Sequence, residues 1–240
     1  MEKKNMVLLT VIAVATLLVA VVGATFAYFT ASITNNYTGT EENGKTNVQA
    51  GSVAGTTVVT NVDGEAGSFT ATDVYPGHKE VAAFKVNVQD ASNTNAKINI
   101  TYKATANGFT EGNIKLRVYK TDSAKSIGED GNYFQCAKKT GTGTGLDANK
   151  TTFYEECSGP AETSLGTQVG SDYVLRTSDL NNAVVIATDN EVSSSASGVD
   201  TYYYVVVEYV NQTESSEESA SQNSEFGAQL KGEISVELAA

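Results

Sequence analysis

Residues 202–210 read YYYVVVEYV, apolar or aromatic at both parities with a single charge, Glu208. Successive strand residues point to opposite faces, so a strand buried on one side alternates and a strand buried on both does not. This run therefore reads as a central strand covered on both faces, and left exposed it would be an aggregation hazard. Strict period-two alternation surrounds it. Ile98, Ile100 and Tyr102 fall on one face with Lys97, Asn99, Thr101 and Lys103 on the other. Phe84, Val86 and Val88 alternate with Lys85 and Asn87, and Ile114, Leu116 and Val118 with Lys115, Arg117 and Tyr119. Near the C-terminus Ile234, Val236 and Leu238 alternate with Ser235 and Glu237. Half-buried strands of this kind predict an all-β, antiparallel sandwich. Residues 56–62 and 184–187 predict two further strands, and a short helix is expected near Thr177 or Ser178, with a hydroxyl capping it ahead of Asp179.

The remaining segments read as long polar loops: 122–132, 137–150, 191–200 and 213–225, rich in Gly, Lys, Asp, Ser and Glu. Strand signals are sparse over 28–55, which reads as an extended arm. With only two prolines and 21 glycines, the composition favours strands and tight turns. Residues 28–240 suit one β-sandwich domain, since such folds reach about 200–250 residues as a unit.

The first residues predict export. Lys3 and Lys4 precede residues 6–29, which carry no charge, and Gly23, Ala24, Thr25 and Ala27 close the run. A basic start, an apolar middle and small residues at −3 and −1 describe a secretory signal peptide over 1–27, with Thr25 and Ala27 framing a cut before Tyr28. The alternative is a retained anchor, because the run has the roughly 20 apolar residues that cross a bilayer. In either case the rest lies outside the cytoplasm, and the membrane is met only through the uncleaved leader.

Net charge is −12 on the whole chain. Glu2, Lys3 and Lys4 together carry +1, so their loss leaves −13 on 28–240. Such a field repels nucleic acid, whose binding depends on Lys and Arg displacing counterions, so no nucleic-acid partner is expected. Cys136 and Cys157 are the only cysteines. In an oxidising compartment they are expected to form a disulfide, with two free thiols as the alternative. Their spacing is not that of a zinc site, which wants four ligands.

Catalytic signals are lacking. The single histidine, His78, follows Tyr75, Pro76 and Gly77 and reads as a turn residue, because base and metal roles need a partner. HExxH, G-x-S-x-G and phosphate-cradling motifs do not occur. The clusters Glu129-Asp130-Asn132 and Asp189-Asn190-Glu191 offer oxygens that calcium could use, but neither has the spacing of a known loop. No catalytic residue, resident metal or cofactor is expected.

The stretch Gly23-Ala24-Thr25-Phe26-Ala27-Tyr28-Phe29-Thr30 resembles the processing region of the TasA/camelysin family of Gram-positive bacteria. Tyr75-Pro76-Gly77 before the strand over 81–88 is similar to that family's turn before a core strand. Residues 202–210, followed by Gln222-Asn223 and the last strand, are similar to its C-terminal part. The resemblance implies a jelly-roll-like sandwich, cleavage by a dedicated signal peptidase, and secretion into a biofilm matrix at the cell surface. It also implies self-assembly into fibres in which an N-terminal segment completes a neighbour's sheet, with minor matrix or anchoring proteins as further partners. Tyr28, Phe29 and Ile33 would then be the donor-strand side chains. Camelysin has also been classed as a metalloprotease, a role at odds with one histidine and no zinc motif. A monomeric surface adhesin using the long loops is the other reading.

Overall fold

The computed structural model describes residues 27–33, 46–49, 55–62, 68–90, 95–128, 133–142, 151–211, 225 and 228–238. Thr25 and the rest of the leader up to residue 26, the cluster 129–132 and most of 213–225 lie outside the described residues, while Ala27 opens the first strand.

Fourteen strands form among them. They are β1 (Ala27–Ile33), β2 (Thr46–Gln49), β3 (Gly55–Asn61), β4 (Ser68–Val74), β5 (Lys79–Asp90), β6 (Ala96–Asn107) and β7 (Ile114–Thr121). Then follow β8 (Gln135–Thr142), β9 (Thr151–Ser158), β10 (Thr167–Gln168), β11 (Tyr173–Val174), β12 (Ala183–Val192), β13 (Val199–Tyr209) and β14 (Gln229–Leu238). One sheet runs β12-β6-β14-β1-β4; the other runs β10-β7-β13-β5-β3-β2, with β11 also on β7; β8 and β9 form a separate hairpin. The protein is all-β and its ladders are antiparallel, save that β1 runs parallel to β14.

The two large sheets share one core. Phe84, Leu116, Val118, Tyr203 and Val205 from the second sheet meet Ile98, Ile100, Tyr102, Ile234 and Val236 from the first. Phe84 and Tyr203 stack at 5.3 Å between ring centroids. Burial of side chains this size is worth about 1.5–3 kcal/mol each, which is what the alternation encodes.

The double-sided run sits where its composition demands. β13 lies between β5 and β7, sending Tyr203, Val205 and Val207 into the shared core. Tyr204 and Val206 point the other way, into a second cluster with Val81, Ala83, Tyr119, Ile127, Phe134 and Leu165. The β8–β9 hairpin, with Cys136 and Cys157, packs on that cluster. The outer face of the seven-stranded sheet is thus roofed, rather than solvated, over the middle of β5, β7 and β13.

Four expectations need correction. The segment 137–150 is not simply loop: β8 extends to Thr142 and pairs with β9, its few apolar residues sufficing because only one side rests on the roof cluster. The arm 28–55 is divided, with β1 in the five-stranded sheet and β2 at the edge of the seven-stranded one. Strands β12 and β13 shorten the 191–200 loop to 193–198. The helix expected near Thr177 is a 3₁₀ turn, Thr177–Asp179, and the carboxylate of Asp179 caps it by accepting the Arg176 N–H at 2.8 Å. A hydroxyl accepts more weakly than an ionised carboxylate.

Candidate functional site

Two features set this molecule apart, a strand slot and a histidine–cysteine node beneath the hairpin roof.

The slot holds β1. Six of its residues, Tyr28 to Ile33, register in parallel against Gln229 to Ile234 of β14. On its other side β1 pairs antiparallel with β4, from Ala27 opposite Val74 to Ser32 opposite Ser68, with a bulge between Ala27 and Phe29. Tyr28, Phe29 and Ile33, the residues expected to donate a strand, therefore lie on one strand inserted into their own chain's sheet. β4 has no other ladder partner among the described strands. Removing β1 leaves β14 with one open edge and β4 with none of its pairing, while Phe69 of β4 is buried in the shared core. Unpaired N–H and C=O groups of this kind are what an incoming strand satisfies.

The node begins at a turn. Gly77 adopts φ 101°, a conformation open to glycine at little cost, and a Cβ there would collide with the Glu155 carbonyl oxygen. That close approach lets the Glu155 N–H donate to the Pro76 carbonyl at 2.7 Å and the Gly77 N–H to that of Tyr209 at 2.5 Å. Glu155 Oε1 accepts the Tyr75 N–H at 3.0 Å, and Oε2 lies 2.5 Å from His78 Nδ1. The other ring nitrogen, Nε2, is 3.4 Å from Glu80 Oε1. The side chains of His78 and Glu155 are only 13% and 4% exposed, so water screens this pair little. Burial alone would favour a neutral ring, but the carboxylates of Glu155 and Glu80 outweigh it and push the imidazole up to about 9 from 6.5.

Cys136 and Cys157 stand directly opposite one another in the β8–β9 register and are joined as a disulfide. Cys157 Sγ lies 3.1 Å from the Gly77 carbonyl oxygen and Cys136 Sγ 3.6 Å from that of Lys79. One donor atom each from His78, Cys136 and Glu155 falls within 4.8 Å of the others. A histidine read as a turn residue is thus the hub joining turn, hairpin and disulfide. Sequence gave no signal for this, because His78 and Glu155 are 77 positions apart.

Beside the node, an ion-pair lattice covers the start of β5 and its neighbours on β7 and β13. Lys79 Nζ is 2.6 Å from Glu162, and Arg117 reaches Glu162 at 3.0 Å, Asp172 at 3.3 Å and Glu208. Burial would raise the Glu162 carboxyl, yet Lys79 and Arg117 hold it below the usual range. A cleft lined by Lys79, Arg117, Tyr119, Phe134 and Glu162 opens here, its two cations already paired. Of the calcium candidates, Asp189 is buried and committed: Lys120 Nζ sits 2.8 and 2.9 Å from its two oxygens, and the Tyr203 hydroxyl donates at 2.7 Å.

Comparison with protein-family models, with curated proteins and with solved structures finds no match.

Proposed function

We propose that the protein is a secreted structural subunit of an extracellular matrix fibre, assembling head to tail by strand donation, as its resemblance to the TasA/camelysin family implies. The observation that carries this reading is the position of β1. It comes from the start of the chain, between the last strand and β4, and is held by ladders to both neighbours. A slot that accepts this strand from its own chain accepts the same strand from another copy in the same register. When the strand comes from the neighbour and the contact does not close, a filament results. Signal peptidase, by cutting before Tyr28, frees the donor from the leader. The jelly-roll-like topology belongs to the same reading.

Energetics set a condition on assembly. Strand pairing is the same within a chain and between chains, so exchange gains nothing from the ladder itself. A short tether gives the internal strand an effective concentration of about millimolar. Fibres therefore grow slowly and only at high subunit concentration, unless contacts between whole subunits add to the strand. Association costs about 4–15 kcal/mol. Each net hydrogen bond returns about 0.5–1.5 kcal/mol, and each large apolar side chain about 1.5–3 kcal/mol.

The test is deletion of residues 28–34 from the exported form, with size-exclusion chromatography and negative-stain microscopy before and after. The full form is expected to give filaments in the void volume. The truncated form is expected to stay small and to take up a synthetic peptide carrying residues 27–33. Fibres from the truncated protein, or a full form that stays solitary at high concentration, would sink the proposal and favour the monomeric adhesin.

A further inference from the structure

We infer that reduction of the Cys136–Cys157 disulfide turns the base of the β8–β9 hairpin into a binding site for a thiophilic divalent cation, zinc foremost, with Cys136, Cys157, His78 and Glu155 as ligands. Reduced and loaded, this site would hold the hairpin to the sheet in place of the disulfide.

The geometry is largely in place. Donor atoms of His78, Cys136 and Glu155 already lie within 4.8 Å of one another, and Cys157 is bonded to Cys136, which puts a fourth donor adjacent. Two sulfurs, one imidazole and one carboxylate make a tetrahedral set of the kind zinc prefers, with thiolate the ligand that selects it over magnesium or calcium. With Zn–S near 2.3 Å, two thiolates on a tetrahedral ion stand about 3.8 Å apart. The Cα atoms of Cys136 and Cys157 are 3.8 Å apart, so the two sulfurs, once released from each other, reach that separation by rotating about their Cα–Cβ bonds. The ligands come from three strands' worth of chain. Cys136 sits on β8, Glu155 and Cys157 on one face of β9, and His78 on the turn before β5. The ion would bridge hairpin and sheet.

Outer partners also fit. Metal-bound histidines usually direct their second nitrogen at a carboxylate, which fixes the ring. Here Nε2 faces Glu80 Oε1 at 3.4 Å while Nδ1 faces Glu155. Glu155 Oε1 is occupied by the Tyr75 N–H, leaving Oε2, now against His78, to turn to the ion. The carbonyls of Gly77 and Lys79 next to the two sulfurs give the thiols acceptors before any metal arrives.

The steps balance. A dithiol passes two electrons and two protons to the disulfide, giving two thiols and its own cyclic disulfide. The cation then replaces both thiol protons and the proton that His78 shares with Glu155, so three protons leave and the site changes from neutral to a net charge of −1. In the oxidised protein the sulfurs have no thiolate to offer, so the soft half of the ligand set is missing.

The test uses the whole exported chain and cobalt(II) as the probe. One sample is reduced with excess dithiol and freed of it under argon; the other is left oxidised. Reduced protein is expected to take up one cobalt, with a thiolate-to-cobalt charge-transfer band and the strong visible bands of a tetrahedral site, and to lose both on adding zinc. Oxidised protein is expected to show neither. His78→Gln should weaken binding by more than about tenfold, the lower end of what even an outer partner is worth, and Glu155→Gln should do likewise. Three results would overturn the inference. They are no charge-transfer band in reduced protein, loss of β circular dichroism on reduction, or equal affinity in His78→Gln and the parent, which would mark simple dithiol capture.

Discussion

Replacing Asp189 with asparagine tests how the two sheets are fastened. Asp189 lies on β12, at one edge of the five-stranded sheet, and is only 4% exposed. Its carboxylate takes Lys120 of β7 on both oxygens, the Tyr203 hydroxyl of β13, and the Glu191 N–H at 3.0 Å. Asparagine keeps the shape and still accepts from Tyr203, but removes the charge that answers Lys120. Breaking one side of a buried pair costs about 3–5 kcal/mol. The Lys120 side chain keeps 25% of its exposure, so the lower end applies, and about 3 kcal/mol is expected. For a domain of this size each kcal/mol lowers Tm by about 2–4 °C, so the midpoint should fall by about 6–12 °C. Burial would raise this carboxyl, but Lys120, the Glu191 N–H and the Tyr203 hydroxyl hold it below its usual value. A depressed carboxyl contributes stability above the unfolded pKa of about 3.9 and loses it as pH falls further. The gap between parent and variant should therefore be constant near neutral pH and close below about pH 4. Replacing both Asp189 and Lys120 with leucine should cost less than losing Asp189 alone. Thermal melts across pH supply the measurement. A drop under about 3 °C at neutral pH, or a gap that persists in acid, would refute the idea that this contact bolts the sheets.

The other predictions concern the node, its disulfide and the buried carboxylate of Glu225. In the oxidised protein, protonated His78 adds at most about 3 kcal/mol, present below pH 6.5 and lost as pH climbs toward 9; urea midpoints should decline across that window and stay flat in His78→Gln. Gly77→Ala forces a side chain into positive φ at about 1–2 kcal/mol and against the Glu155 carbonyl. Faster hydrogen exchange in β8 and β9 should report it, and unchanged exchange would deny the turn its role. Reducing the disulfide without metal should cost about 3 kcal/mol in the chain-entropy account, for a separation of 21 residues, read as a lower denaturant midpoint. Glu225→Ala strips acceptors from the Thr110 N–H, Asn113 Nδ2 and the Tyr209 hydroxyl. At about 1–3 kcal/mol per stranded buried group, calorimetry should show one of the larger single-site losses.

What was legible in the chain followed from periodicity. Alternation located β5, β6, β7 and β14, and the double-sided run at β13 placed it at the centre of a sheet before any partner was known. Side-chain period is a local property, and burial on one face or two writes it directly. The hairpin β8–β9 escaped because its Gly, Lys and Thr content is that of a loop, its strand character depending on pairing and on the roof it forms. β1 carried no periodicity signal and was expected as a strand only through the family resemblance, because its pairing partners, β14 and β4, lie elsewhere in the chain and leave no mark on its own seven residues. The node was invisible in the same way. His78 looks isolated in sequence, and only the approach of β9 over Gly77 brings Glu155 to it.

The neighbourhood of β1 and β14 carries a consequence for biogenesis. Tyr28 and Gln229 pair although nearly the entire chain separates them, and contacts so remote in sequence form late and slowly. The first strand to emerge from a ribosome or translocon must wait for the last before it can dock. During that interval every young molecule holds a vacant berth and an unmoored strand side by side with its siblings. Crowding at the site of synthesis therefore favours cross-chain partnering at the moment of birth, whereas dilution lets each molecule close upon itself.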